Sequence, residues 1–266
     1  MCWKRWCPLL MPEIRGPDVD RIRQMAVVIP VHNEVQLLPR ALGAVRTAAD
    51  ALQAYRPNTA VSILVVLDSC TDGSADVVSH LAAVDRRISS LQVTFRSVGG
   101  SRRAGNRAVL LASNEKGLPY ASPEFWLANT DADSSVPENW LLRQSELAGR
   151  GADAVLGTVE PDPEGMEGEL LRRWHARHQL GENHAHVHGA NLGVRASAYV
   201  LAGGFPRVRS HEDRALVERL RQNGAAVWST DTIRVRTSGR TDARAPQGFG
   251  AYLLSLTREP AAALKS

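Results

Sequence analysis

Two rhythms of apolar residues trade places along the first half of the chain. Met25-Ala26-Val27-Val28-Ile29-Pro30-Val31 is a continuous apolar run, the mark of a strand buried on both faces, with Pro30 at its end. Over residues 34–55 the rhythm changes. Val35, Leu38, Leu42, Val45, Ala49 and Leu52 recur at helical spacing, and Arg56-Pro57-Asn58 ends the helix they predict. Residues 61–67 form a second, β-branched run that leads into Asp68-Ser69-Cys70-Thr71-Asp72-Gly73-Ser74, where Ser74 is placed to cap a helix through Val77, Val78 and Leu81. Residues 91–95 predict a third strand. Gly99-Gly100 is expected to break the chain before a helix over 102–114, and Phe125-Trp126-Leu127-Ala128-Asn129 predicts a fourth strand.

Strand followed by helix, repeated in this way, is the signature of a mostly parallel, doubly wound α/β sheet. In such sheets ligands sit at the carboxyl ends of the strands, so His32-Asn33-Glu34, Asp68 and Asp131-Ala132-Asp133 should converge on one crevice. The second half is less regular. It predicts helices over 137–148 and 212–223, the latter stopped by Gly224, an amphipathic stretch over 166–180, a strand over 153–159, and late strands at 227–229 and 233–235. No repeat or linker divides the chain. The expected organisation is a loose extension over 1–24, a ligand-binding half over 25–135, a second half over 136–240 and a tail over 241–266.

Composition changes this picture little. The 266 residues suffice for one large domain, and 44% hydrophobic with 23% charged residues is ordinary for a globular protein. The formal charge of +4 comes mostly from dispersed arginine, which suits phosphorylated ligands or an anionic membrane surface and argues against a dedicated nucleic-acid binder. No run is apolar enough for a membrane span, and three cysteines (Cys2, Cys7, Cys70) make no disulfide framework, so a cytoplasmic location is the expectation.

The candidate chemistry is acidic. Asp131 and Asp133, one residue apart at a strand exit, suit a hard divalent cation, Mg²⁺ or Mn²⁺, carrying an anionic ligand such as a diphosphate; as ordinary loop acids they would mean nothing. Asp68 reads equally as a turn cap. Glu212 and Asp213 fall in the first turn of a helix, where the dipole alone favours acids, while Arg102 and Arg103 begin a helix, where it does not favour cations. His184, His186 and His188 share one side of an extended segment, which is metal-ligand spacing in an otherwise ordinary loop.

The ordered set of motifs resembles the family 2 glycosyltransferases, whose nucleotide-sugar fold is called GT-A. The residues that carry the resemblance are Val27-Val28-Ile29-Pro30-Val31-His32-Asn33-Glu34, Val65-Val66-Leu67-Asp68-Ser69-Cys70-Thr71-Asp72-Gly73-Ser74, Asn129-Thr130-Asp131-Ala132-Asp133, Gly189-Ala190-Asn191 with Gly203-Gly204-Phe205, and His211-Glu212-Asp213, across roughly 25–235. It implies that Pro30, His32 and Glu34 line a nucleotide pocket, that Asp68 meets the base, and that Arg102 and Arg103 lie near the nucleotide. It further implies that Asp131 and Asp133 meet ribose, metal and diphosphate, and that Asp213, beside Glu212, is the catalytic base. His188 and Asn191 are then candidates for the acceptor pocket, with Trp174 and His175 near it or in the core.

Two departures qualify the resemblance. No histidine follows His211 to complete a metal site from the C-terminal side, and the Gln-x-x-Arg-Trp motif of polymerising members is absent, which favours transfer of one sugar. Arg236, Arg240 and Arg244 form a basic late loop suited to a diphosphate or an anionic acceptor. The expected activity is metal-dependent, inverting transfer from a nucleoside-diphosphate sugar, UDP-linked, to an unknown small-molecule, lipid or glycan hydroxyl. The alternatives are a retaining transferase with a phosphorylated acceptor and a non-catalytic nucleotide-sugar-binding protein. Peripheral membrane contact is compatible with all three.

Overall fold

The first apolar run is β1 (Gln24–Val31), and its period of two divides the core. Met25, Val27, Ile29 and Val31 face one apolar cluster, while Ala26 and Val28 face another. On the first side lie α1 (Leu38–Tyr55), α2 (Ser74–Val84) and α4 (Trp140–Gly149); on the second lie α3 (Val98–Glu115), α6 (Ala196–Leu201) and α7 (Glu212–Gln222). The structure, a computed structural model, describes residues 22–115, 119–164, 166–208, 210–241 and 248–258. Cys2, Cys7 and Arg244 lie outside the described residues. Ile22 is fully buried and β1 starts at Gln24, so the core begins inside the stretch read as an extension.

Among the described residues eight strands form one sheet in the order β3-β2-β1-β4-β7-β6-β8-β5. β2 (Ala60–Asp68), β3 (Ile88–Val93) and β4 (Phe125–Asn129) run parallel to β1, as the alternation predicted. β7 (Leu192–Arg195) then runs antiparallel to β4 and to β6 (Ala154–Pro161), and β6 pairs in parallel with β8 (Val227–Thr237). The short β5 (Ser134–Ser135) closes against β8, Ser134 opposite Thr237. The ends of β1, β2 and β4, the start of β7 and the end of β8 thereby share one rim.

Several local expectations give way to packing. Gly99 and Gly100 do not break the chain; they form the first turn of α3, because a Cβ on Gly99 would lie 3.0 Å from Glu212 and one on Gly100 3.2 Å from Phe95. Ser74 does not cap α2. Gly73 holds that position, and the Ser74 hydroxyl accepts the Glu34 amide at 3.0 Å instead. Val35 sits in a turn before α1, which starts only at Leu38 with Pro39 in its first turn. The late strands at 227–229 and 233–235 are one strand, and the tail contains α8 (Phe249–Thr257), whose Leu253 and Leu256 pack with Leu170 and Trp174 of α5 (Gly168–Arg177). Among the described residues no helix is long and apolar enough to cross a membrane.

Asn191, expected at the acceptor, is the polar peg of this fold. It is 1% exposed, accepts from the Trp140 indole at 2.8 Å, and donates to the carbonyls of Thr158 at 2.8 Å and Ile233 at 2.7 Å. Its oxygen and both its N–H groups are engaged in joining α4, β6 and β8, and its burial keeps it from a substrate. Gly157 makes room for it, since a Cβ there would overlap the Asn191 amide. Gly157→Ala is therefore expected to destabilise the protein by about 1–3 kcal/mol, read as a lower urea midpoint at unchanged slope.

Candidate active site

Gly105 sets the depth of the site. A Cβ there would press on Val28 and Val66, so its absence lets α3 lie close against β1 and β2. One turn earlier on the same helix, Arg102 is carried under the exit of β4 and is only 4% exposed. Asn106 fixes this placement by donating to the Arg102 carbonyl and to the Asn129 side chain, both at 2.8 Å. The Arg102 guanidinium then joins two acids from distant parts of the chain. It pairs with Asp131 after β4 and with Glu212 at the start of α7, the latter at 2.5 Å. Burial opposes its charge, but Asp131, Glu212 and Asp213 outweigh that and hold its pKa above the ordinary arginine value. Gly189 completes the fit, because a Cβ there would overlap the guanidinium.

A second arginine makes a matching clamp. Arg240, beyond β8, donates to both Glu34 oxygens at 2.5 and 2.9 Å and to Asp133 Oδ2 at 3.0 Å. The same corner is tied by the Ser238 amide on the Asp133 carbonyl (3.1 Å) and the Thr237 hydroxyl on Asp133 Oδ1 (3.3 Å). Burial, together with the Asp131 and Glu34 carboxylates, pushes Asp133 up to about 6 against the pull of Arg240 and Thr237. Negative charge is thus crowded here, and a cation is the natural remedy. From the C-terminal side, where a histidine was sought, the chain supplies Arg240.

Asp213 is held differently. The Gly189 amide donates to its Oδ2 at 2.8 Å and the Arg214 amide to its Oδ1 at 2.7 Å, and the side chain is partly open. It follows His211, which takes a left-handed conformation (φ 60°) to turn the chain into α7. His188, immediately before Gly189, is partly buried. Burial pushes its imidazole down to about 4, aided by His186 and His184 and opposed by Asp213. The sign follows: the unfolded chain takes up this proton near the ordinary histidine value of about 6.5, the folded one only near 4. Stability attributable to His188 is present above 6.5 and is lost as pH falls towards 4. His188→Asn should flatten the acid limb of a stability-versus-pH curve between those values, measured by urea unfolding at each pH.

The other expected residues divide. His32 and Glu34 stand at the rim, His32 with Nδ1 2.7 Å from the Asp68 carbonyl, and Pro30 is buried in β1 behind them. Asp68 reaches the rim, but its oxygens already accept the Arg96 and Ser97 amides at 2.8 and 2.9 Å and the Ser101 and Ser69 hydroxyls at 2.8 and 3.2 Å. Burial would raise its pKa; these bonds outweigh burial and hold it below the ordinary range. Asp68 therefore braces the turn leading into α3.

Arg103 points away from the crevice and pins the Gly203 and Phe205 carbonyls at 3.0 and 2.6 Å. Glu212, expected beside Asp213 in catalysis, is 5% exposed and committed to Arg102, so it positions rather than reacts. Trp174 is core, 1% exposed and stacked on His178 at 4.2 Å. His184, His186 and His188 form a row of stacked rings 5.6 and 6.0 Å apart, and among the described residues no three metal-ligating side chains converge on one point.

Asn33 was missed. In a left-handed conformation (φ 54°), its side-chain oxygen accepts the Thr71 amide at 2.8 Å, tying the β1 exit to the β2 exit. Asparagine tolerates that conformation.

The fold has known counterparts. A mannosyltransferase from Pyrobaculum calidifontis, solved with GDP-Man and Mn²⁺, matches with a TM-score of 0.58 at 17% identity over 88% of this chain and 62% of its own. Glucosyl-3-phosphoglycerate synthase from Mycobacterium tuberculosis, solved with Mn²⁺, UDP-glucose and phosphoglyceric acid, gives 0.50 at 15% identity over 90% and 81%. At these identities the likeness is one of fold.

In sequence, the undecaprenyl-phosphate 4-deoxy-4-formamido-L-arabinose transferase of Salmonella choleraesuis (strain SC-B67) is 30% identical over 143 residues, which is 53% of this chain and 38% of that relative. The Serratia proteamaculans (strain 568) enzyme of the same name is 31% identical over 141 residues. The chain thus spans well under half the length of these relatives. The family model for glycosyl transferase family 2 matches residues 26–199, from β1 into α6. That span carries Asp68, Arg102, Asp131, Asp133 and His188, and stops before Asp213. The chain belongs to glycosyl transferase family 2.

Proposed function

We propose that this chain transfers one sugar, with inversion, from a nucleoside-diphosphate sugar, UDP-linked, to an acceptor hydroxyl, with Mg²⁺ or Mn²⁺ as cofactor. The observation that carries this reading is the meeting of Asp131, Asp133 and Asp213 on one rim, the first two held by arginine clamps and the third left partly open. Solved neighbours hold GDP-Man or UDP-glucose with Mn²⁺, which supports the donor class.

Asp131 and Asp133 would hold the cation. Two carboxylates alone would suit a hard divalent cation whose remaining oxygen ligands come from water and a diphosphate. When bound, that metal neutralises charge on the leaving diphosphate. His32 and Glu34 border the nucleotide, and Asp68 fixes the turn beside it. Asp213 accepts the proton of the acceptor hydroxyl as its oxygen bonds to the anomeric carbon; the bond from that carbon to the diphosphate oxygen breaks and its electron pair leaves with the diphosphate. The two amides on Asp213 occupy one lone pair on each oxygen and leave the others for the incoming proton.

Thermal unfolding with UDP-, GDP- and dTDP-sugars, each with and without Mn²⁺, tests the donor and the metal together. A donor at one hundred times its Kd should stabilise the protein by about 2.7 kcal/mol. Asp133→Asn should remove the metal-dependent part. Donor stabilisation indifferent to both Mn²⁺ and Asp133→Asn would sink the reading.

A further inference from the structure

A groove of about 700 Å³ opens beside Asp213, between the extended segment before Gly189 and the outer face of α7. One wall is imidazole. His186 and His188 are two residues apart in extended chain, their rings stack at 6.0 Å, and both line the groove. The other wall is a helical stripe: His211, Arg214, Glu218 and Arg221 follow one another at spacings of three and four. Among the described residues Arg214 and Arg221 make no ion pair, unlike the buried arginine clamps next door. His188 on the one wall and Arg214 on the other line the same groove. Among the described residues Glu218 is the one carboxylate on the lining, and its Oε1 accepts from Gln222 at 3.1 Å.

Asp213 marks the head of this groove, since the Gly189 amide that holds it belongs to the imidazole wall and its own backbone to the helical wall. Arg221 lies about two turns further on, about 12 Å along the helix axis. A molecule with its hydroxyl at Asp213 would therefore run past Arg214 towards Arg221. Two unneutralised guanidiniums, backed by imidazole N–H groups, form a site for a phosphate rather than for a neutral sugar ring, because guanidinium donors match phosphate oxygens in a fork.

Resting on the sugar-transfer reading for Asp213, we propose that this groove is the acceptor subsite and that the acceptor carries a phosphate group, held by Arg214 and Arg221 a short distance from the hydroxyl that attacks. The phosphate belongs either to a soluble monoester or to a lipid headgroup; the recognition chemistry is shared.

The test uses the whole chain and inorganic phosphate as the probe, titrated calorimetrically against chloride at constant ionic strength. Phosphate should bind the parent protein, and the double variant Arg214→Gln with Arg221→Gln should weaken it at least tenfold. A control pair, Arg86→Gln with Arg107→Gln, removes exposed arginines elsewhere and should leave it unchanged. Stabilisation by UDP-sugar with Mn²⁺ should be equal in all three proteins.

Absence of phosphate binding, equal binding by the groove variant, or equal loss in the control pair would each overturn the proposal. A parent protein that binds phosphate but is not stabilised by any donor would instead overturn the transferase reading while keeping the anion site. For the source, the parent is sedimented with phosphatidylcholine vesicles with and without phosphatidic acid, and titrated with glycerol 3-phosphate. Groove-dependent capture by the acidic vesicles assigns a lipid phosphate, and tighter groove-dependent binding of glycerol phosphate without capture assigns a soluble one; either supports the subsite.

Discussion

Asparagine in place of Asp213 is expected to slow donor turnover, read as release of the nucleoside diphosphate, by about 100- to 10,000-fold, the range for losing a positioned general base. The amide keeps one oxygen, enough to accept from either Gly189 or Arg214 but not both. Local geometry must therefore be checked, and stabilisation by the donor with Mn²⁺ does this. An unchanged donor shift with lost turnover isolates the proton-accepting role, because the donor is proposed to sit on Asp131 and Asp133. Turnover within a few-fold of the parent would remove Asp213 as the base.

The largest stability effect is expected from Arg102→Gln. The change strands Glu212, which is 5% exposed, and leaves Asp131 facing it without the intervening cation. Breaking one side of a buried ion pair in this way costs about 3–5 kcal/mol. Urea unfolding at neutral pH measures the loss. The double change Arg102→Met with Glu212→Leu should be less destabilised than Arg102→Met alone, since removing both partners leaves no stranded charge. A double variant as unstable as the sum of its singles would mean that Arg102 acts through packing rather than through this pair.

What could be read from the chain was what is local to it. β1, β2 and β4 announce themselves by continuous apolar runs, and the acids at their exits follow in the next few positions, so the sequence alone places Asp68, Asp131 and Asp133 on the rim. The partners of those acids were not legible. Arg102 and Arg103 look alike in sequence, yet one turns under the β4 exit and the other pins the Gly203–Phe205 corner, because adjacent residues on a helix point about 100° apart. Asn191 sits in a motif that pointed to substrate, and only the arrival of Trp140, Thr158 and Ile233 from three other elements shows its amide to be spent on the core. Gly99-Gly100 misled for the same reason: glycine was read as backbone freedom, whereas the helix uses it for closeness to Glu212 and Phe95. α6 and α8 were missed because they are short and lack a marked polar face.

The Arg240 clamp also bears on how the protein is made. Its two partners, Glu34 and Asp133, stand 206 and 107 positions earlier in the chain. A ribosome adding about 5–20 residues per second takes about 10–40 s to cover the longer gap. Throughout that interval the nascent chain carries the acids of the rim without the guanidinium that balances them. Glu34, 8% exposed in the finished protein, has to stay hydrated until β8 is in place, so the rim closes late, after the parallel strands have paired. A chain released before residue 240 would carry the segments of β1 through β4 and still lack the guanidinium that balances the acids of the rim.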